Sequence, residues 1–330
     1  MNLQDLFTVT SLTDAINKLP VAPNKAAKTG LFLERGVTTT SVVIENLDGH
    51  LRLVQSVSRN ADPVPVKLDK RKRRTFEIPH LPTTAQILPS EIQSIASFGS
   101  DSALNPAANP QVTIINDKLA GMKSWLDQTR EWQRMGGIAG QILDADGSII
   151  YDLYDEFGIT KKAGNIKFSD KTTDVRAELL KRKRAIEKAA PSLVITGWKA
   201  FCGADFFDGL TGHDSVKAAY ANWAAAQDRL GGDLRSGFRY ADIDFEEYNW
   251  TISGRDFVAP NKCRLFPVAQ NMFRLYNAPA NYNETVNTIG LPFYAKAEER
   301  KMGKGWDLEA QSNPLAMCLY PETLDELTGN

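Results

Sequence analysis

The stretch PQVTIINDKLAGMKSWLDQTREWQRMGGIAGQILDADGSIIYDLYDEF, residues 110–157, decides how the rest of the chain is read. Its apolar residues recur at Val112, Ile115, Leu119, Met122, Leu126, Trp132, Met135, Ile138 and Ile142. Steps of mostly three and four place them on one face of an α-helix. At about 1.5 Å per residue, some thirty residues make a rod of roughly 45 Å, where about three turns is usual in a compact domain. Gly136, Gly137 and Gly140 are expected to fray or bend the last turns, since each glycine costs up to about 1 kcal/mol relative to alanine. Ala145-Asp146-Gly147 is then a tight-turn signal, and Ser148 to Tyr154 carries β-branched and aromatic residues. The helix is therefore expected to run into an extended hairpin. Such a spine is a structural girder rather than a catalytic pocket.

On its N-terminal side, residues 37–87 read as two extended arms around a polar middle. Thr38 to Val57 runs out through a turn at Asn46-Leu47-Asp48-Gly49, and the chain returns through Pro63, Pro65 and a basic run towards Phe76-Glu77-Ile78-Pro79. Prolines within strand-like sequence mark edges or exposed loops. With little alternating core pattern, this hairpin is expected to project. Its basic run, Lys67, Lys70, Arg71, Lys72, Arg73 and Arg74, supplies the candidate subunit-contact residues. Arg71 to Arg74 could also be read as a nucleic-acid or nuclear-targeting cluster. An exposed loop facing an acidic partner suits it better, because phosphate binding spreads over a broad basic surface. Residues 1–30 read as an arm with one short helix starting at Ser11-Leu12-Thr13-Asp14. Leu6, Phe7, Leu12 and Ile16 are too few for a core, so the arm is expected to need another molecule's surface.

Beyond the spine, a helix is expected from about Thr172 to Ala189, a short buried strand over Ser192–Gly197, and a helix from about Asp214 to Leu230 carrying Val216, Tyr220, Trp223 and Ala224. Phe238 to Phe245 and Glu247 to Ile252 alternate as half-buried strands do. These elements make a compact α/β lobe at about 161–285.

Composition narrows the class. The 330 residues suggest about two domains, and 42% hydrophobic with 24% charged residues is ordinary for a globular protein. A formal net charge of −1 excludes a generally polycationic nucleic-acid binder. Cys202, Cys263 and Cys318 are odd in number and dispersed, so they are expected to be reduced thiols. No apolar run reaches a membrane-spanning length, and the N-terminus lacks the pattern of a signal peptide. A soluble intracellular product is expected.

Candidate chemistry is sparse. Asp242, Asp244, Glu246 and Glu247 could hold a divalent metal if one strand face gathered the first three, but the solvent face of an alternating strand looks the same. His213-Asp214 with Cys202 suggests a nucleophile pair without an orienting group. Gly203, Gly209 and Gly212 fit no phosphate-cradling motif. No catalytic, cofactor-binding or metal residue is therefore assigned. A metal-dependent DNA-processing enzyme using Asp242 and Asp244 stands as the alternative reading.

The C-terminal third carries the most specific pattern. Pro260-Asn261-Lys262 leads to Arg264-Leu265-Phe266-Pro267-Val268, then Phe273-Arg274-Leu275-Tyr276-Asn277-Ala278-Pro279-Ala280. Glu284 to Pro292, Tyr294-Ala295-Lys296 and Lys304-Gly305-Trp306-Asp307-Leu308 to Leu315 follow. This region resembles the lambda E-type family of tailed-phage major capsid proteins, most closely from about Pro260 to Pro321. The resemblance implies a mixed α/β Hong Kong 97 capsid fold. Residues 1–30 would be the N-arm and 31–90 the E-loop region. Residues 91–160 and 286–330 would form the peripheral P-domain, and 161–285 the axial A-domain. It implies a non-enzymatic subunit of an icosahedral virion head built from hexamers and pentamers around double-stranded DNA. It also implies a portal, weak contact with the packaged DNA and assembly in the host cytoplasm, and leaves a decoration protein open. Too few residues precede the E-loop for a built-in scaffold, so a separate scaffolding protein is expected.

Overall fold

The computed structural model describes residues 8–19, 24–46, 72–91, 110–219 and 237–329. In chain order, α1 (Val9–Lys18) and α2 (Lys25–Lys28) precede β1 (Phe32–Gly36), β2 (Ser41–Asn46), β3 (Lys72–Glu77) and β4 (Leu81–Ile87). The spine α3 (Pro110–Ala139) leads into β5 (Gln141–Leu143), β6 (Ile149–Asp152) and α4 (Leu153–Phe157). Next come β7 (Lys162–Ile166), α5 (Val175–Ala189), β8 (Ile195–Cys202) and α6 (Ala204–Gly212). After them lie β9 (Phe238–Tyr240), β10 (Ile243–Glu247), β11 (Thr251–Ile252), β12 (Arg255–Asp256), β13 (Lys262–Ala269) and β14 (Phe273–Asn277). The chain ends with β15 (Tyr294–Glu299), β16 (Trp306–Ser312), β17 (Pro314–Cys318) and β18 (Asp325–Gly329).

These elements form two compact units, residues 1–44, 75–133 and 274–316 in one and 45–74, 134–273 and 317–330 in the other. In the first, antiparallel β15-β16-β4 forms a sheet. Its inward residues Ala295, Leu308, Ala310 and Ile87 pack on Ile114, Ile115, Leu119, Met122 and Leu126 of α3. Leu12 and Ile16 of α1 join the same core. The arm helix therefore finds its surface within its own chain, contrary to expectation; Leu6 and Phe7 lie outside the described residues. Its start also differs, because Thr8 is the cap: its Oγ1 accepts from the Ser11 N–H at 3.2 Å. Of the hairpin expected to project, residues 47–71 lie outside the described residues; its described ends are buried at Val42, Ile44, Phe76 and Ile78.

In the second unit, a mixed sheet runs β7-β18-β13-β8-β10-β9. One face carries α5 and α6 over Val175, Leu179, Ile186, Phe206, Leu210, Ala200, Phe245 and Leu327. The other packs Phe201 against Tyr248 and Phe266 at tilted angles, with ring centroids 5.6 and 5.7 Å apart. Burial on both faces makes the later halves of the central strands β8 and β13 read as nearly continuous apolar sequence, whereas β10 alternates. Three expectations shift here. The strand expected over Ser192–Gly197 is observed three residues later and extends to Cys202. Phe238 to Phe245 is no single strand; Ala241 and Asp242 adopt φ +50° and +63° and turn the chain between β9 and β10. Glu247 ends β10, so Tyr248 to Trp250 is irregular rather than extended. The helix beginning at Asp214 is described to residue 219, so Tyr220, Trp223 and Ala224 lie outside the described residues.

The spine is close to its expected form. Ile115, Leu119, Met122, Leu126, Met135, Ile138 and Ile142 are all buried. The glycines do not fray it. Gly136 is helical, and a Cβ there would lie 2.7 Å from the Gln141 carbonyl oxygen, so its smallness lets β5 approach. Gly140, at φ +76°, ends the helix. The hairpin beyond is short, because Asp152 caps α4 by accepting from the Tyr154 N–H at 2.9 Å.

Candidate assembly surfaces

Of the basic run, Lys67, Lys70 and Arg71 lie outside the described residues. Lys72 opens β3, Arg73 is exposed and Arg74 is half-buried. The Arg74 guanidinium stands 4.9 Å from the centroid of the Phe157 ring, a cation–π contact within the chain. Arg74 therefore already has an intrachain role, which the sequence reading assigned wholly to a neighbour.

The β15-β16-β4 sheet supplies an opposite charge. On the face away from its core, the register sets Glu298 opposite Asp307 and Lys296 opposite Glu309. Like charges directly opposite one another are destabilising unless a cation intervenes. Arg300 Nε lies 3.5 Å from Asp307, and Lys296 Nζ lies 2.8 Å from Glu284. Lys296 holds the carboxyl of Glu284 below its usual range. The Tyr282 hydroxyl donates to Glu309 at 3.3 Å, while burial pushes that phenol well up. Glu298, Asp307 and Glu309 thus line a cleft of about 380 Å³ with Lys296, while Glu284 and Arg300 pair with Lys296 and Asp307 from outside that lining.

Beneath this face, α3 holds charged residues that the sequence reading missed. Arg130 is 2% exposed. Its Nη1 donates to Asn277 Oδ1 at 2.9 Å, Ser312 Oγ at 3.0 Å and the Pro292 carbonyl at 3.2 Å, and Nη2 reaches Glu34 at 3.2 Å. The guanidinium also lies 5.0 Å from the Phe293 ring centroid. Glu131, fully buried, accepts the Ala26 and Ala27 N–H groups at 2.6 and 3.1 Å and so caps α2. Lys123 Nζ donates to the Leu19 carbonyl at 2.8 Å, and burial lowers its pKa. A signal for this face was present: Lys123, Asp127, Arg130 and Arg134 recur at the same three- and four-residue steps as the apolar stripe.

The other candidates do not assemble. Asp242 is bonded by Arg239, which holds its carboxyl below the usual range, and lies 3.6 Å from Lys183. Asp244 lies 3.7 Å from Arg239, and Glu246 3.1 Å from Lys199. The turn at Ala241-Asp242 removes Asp242 from the strand that carries Asp244 and Glu246. His213 and Cys202 do not pair. His213 Nε2 donates to the Asp170 carbonyl at 3.1 Å and Nδ1 accepts from Ser215, whereas Cys202 faces Cys263.

The family described as Phage major capsid protein E matches residues 8–328. This chain belongs to that family. Two major capsid proteins are similar to it over almost their whole lengths. That of Salmonella phage Felix O1 is 26% identical, covering 96% of this chain and 95% of its own. That of Pseudomonas phage KPP10 is 25% identical, with coverages of 97% and 96%. A crystal structure from a prophage of E. coli CFT073, described as a capsid protein, superposes with a TM-score of 0.60 at 14% identity, over 98% of this chain and 99% of that one. The fold is thus the phage capsid fold of the Hong Kong 97 type, with mixed helices and sheets. The capsid protein is a structural, non-enzymatic component of the virion head. The metal-dependent DNA-processing enzyme is withdrawn: its carboxylates are engaged by Arg239, Lys183 and Lys199, and the family is a shell-forming one.

Proposed function

We propose that the capsid protein builds its icosahedral shell as hexamers and pentamers around double-stranded DNA, and that its projecting hairpin reaches the acidic sheet face of a neighbouring copy. The observation that carries this contact is charge complementarity. Six basic residues lie between Lys67 and Arg74, and Glu298 and Asp307 sit opposite one another with Glu309 and Glu284 beside them. A basic arm over that pair would relieve its repulsion. Each exposed ion pair contributes only about 0.2–1 kcal/mol, but many repeated around a closed shell decide whether it forms. In this reading residues 1–30 act as N-arm, 31–90 as E-loop, 91–160 with 286–330 as P-domain and 161–285 as A-domain. A separate scaffolding protein and a portal are further partners, packaged DNA is touched weakly, and assembly takes place in the host cytoplasm.

The test replaces Lys70, Arg71, Lys72 and Arg73 with serine and leaves Arg74 on its Phe157 ring. Circular dichroism should be unchanged, while sedimentation should show weaker particle formation. Wild type should lose particles in high salt in the same sense. Reversing Glu298 and Asp307 to lysine should also weaken assembly of the wild-type arm. Particle formation as ready as wild type in both variants would reduce the run to solvated surface.

A further inference from the structure

β8 and β13 are the two central strands of the six-stranded sheet, and their antiparallel register sets Cys202 directly opposite Cys263. The Gly203 N–H donates to the Lys262 carbonyl at 2.9 Å, so the adjoining pair is hydrogen-bonded. The two kinds of pair alternate along an antiparallel ladder, which makes Cys202–Cys263 a non-hydrogen-bonded pair. Such pairs hold their Cα atoms about 4.5 Å apart with the side chains close. Disulfides accept Cα separations of about 4.4–6.8 Å. Both thiols belong to the same apolar cluster. Cys318, also a free buried thiol, lies apart on β17.

We propose that Cys202 and Cys263 are a latent oxidation site, which a peroxide closes into a cross-strand disulfide stapling the centre of the sheet. The thiolate of one cysteine attacks the O–O bond of hydrogen peroxide, giving a sulfenic acid and hydroxide. The second sulfur then attacks the sulfenic sulfur; the S–S bond forms, the S–O bond breaks and water leaves. Overall, two thiols and one peroxide yield one disulfide and two waters, with sulfur oxidised and peroxide oxygen reduced. Burial raises the Cys202 thiol well above its usual range, so the attacking thiolate is scarce. The pair therefore stays reduced until the ladder opens locally, and once closed the bridge is shielded from reductants. In a shell subunit this adds a restraint inside each copy without altering a contact between copies.

The test treats assembled particles with hydrogen peroxide at several temperatures below melting, then denatures them with an alkylating agent and maps peptides without reduction. Free thiols should fall from three to one per chain. A linked peptide pair holding Cys202 and Cys263 should appear, two hydrogens lighter than its parts. The melting temperature should rise and return on adding dithiothreitol. Cys318→Val should retain all of this, its thiols falling from two to none. Cys263→Val should lose the linked peptide and the shift. The proposal is overturned by three persistent thiols at every temperature, by a bridge through Cys318, by sulfinic or sulfonic acid at the pair without a bridge, or by a bridge that leaves melting unchanged.

Discussion

The unit of residues 45–74, 134–273 and 317–330 packs its sheet with hydrocarbon and aromatic rings, such as Phe201, Phe206, Phe245 and Leu327. The unit of residues 1–44, 75–133 and 274–316 has an apolar core as well, but also closes over the guanidinium of Arg130, with four hydrogen bonds and the Phe293 ring around it. Apolar burial is non-directional, so a ring can be exchanged for another residue of similar volume. A buried guanidinium is directional, and its fork matches only the acceptors placed for it. The second of these units thus adds an oriented polar centre to its apolar core.

That contrast is sharpest under substitution. Phe201→Ala should cost about 3–5 kcal/mol, but Phe201→Leu only about 1.5 kcal/mol or less. Arg130→Ala should cost about 3–5 kcal/mol through the acceptors it strands, and Arg130→Lys should stay near that loss because one ammonium cannot serve the fork. Denaturant melts of the four variants measure this. A tolerated Arg130→Lys would break the comparison.

Acidity provides a middle-sized effect. Burial pushes the Asp325 carboxyl up to about 6, against the pull of Arg182 and Lys162. The folded chain then binds this proton more tightly than the unfolded chain does. Between about pH 4 and 6 stability from this group is expected to fall as pH rises, by on the order of 2–3 kcal/mol. Asp325→Asn should flatten that slope in melts recorded across the window. A smaller effect is expected at the arm, where Glu131→Gln weakens the carboxylate cap of α2 by about 1–2 kcal/mol. Proteolysis should then cut near Asn24 sooner, while the six-stranded sheet keeps its protection.

Periodicity exposed the spine because a single apolar stripe spans its length, and Ala145-Asp146-Gly147 revealed the turn beyond it. The family was legible in the motifs from Pro260 onward. The charged face of α3 was passed over despite its three- and four-residue spacing, because Arg130 and Glu131 read as solvent-facing until β1, Asn277 of β14 and α2 are folded against them. The β9–β10 turn was hidden because alternation continues through Ala241 and Asp242 despite their positive φ. The Cys202–Cys263 pairing depends on strand register, which residues sixty or so positions apart do not announce. The basic run was visible as a feature, but the acidic face opposite it needed the β15–β16 register to appear.

The central claim is that this chain is a shell subunit, and electron microscopy of the purified protein across concentration and salt tests it most directly. Closed icosahedral shells, or hexameric and pentameric rings, are the expected result. Monomers alone under every condition, together with metal-dependent DNA hydrolysis abolished by Asp242→Ala and Asp244→Ala, would contradict it.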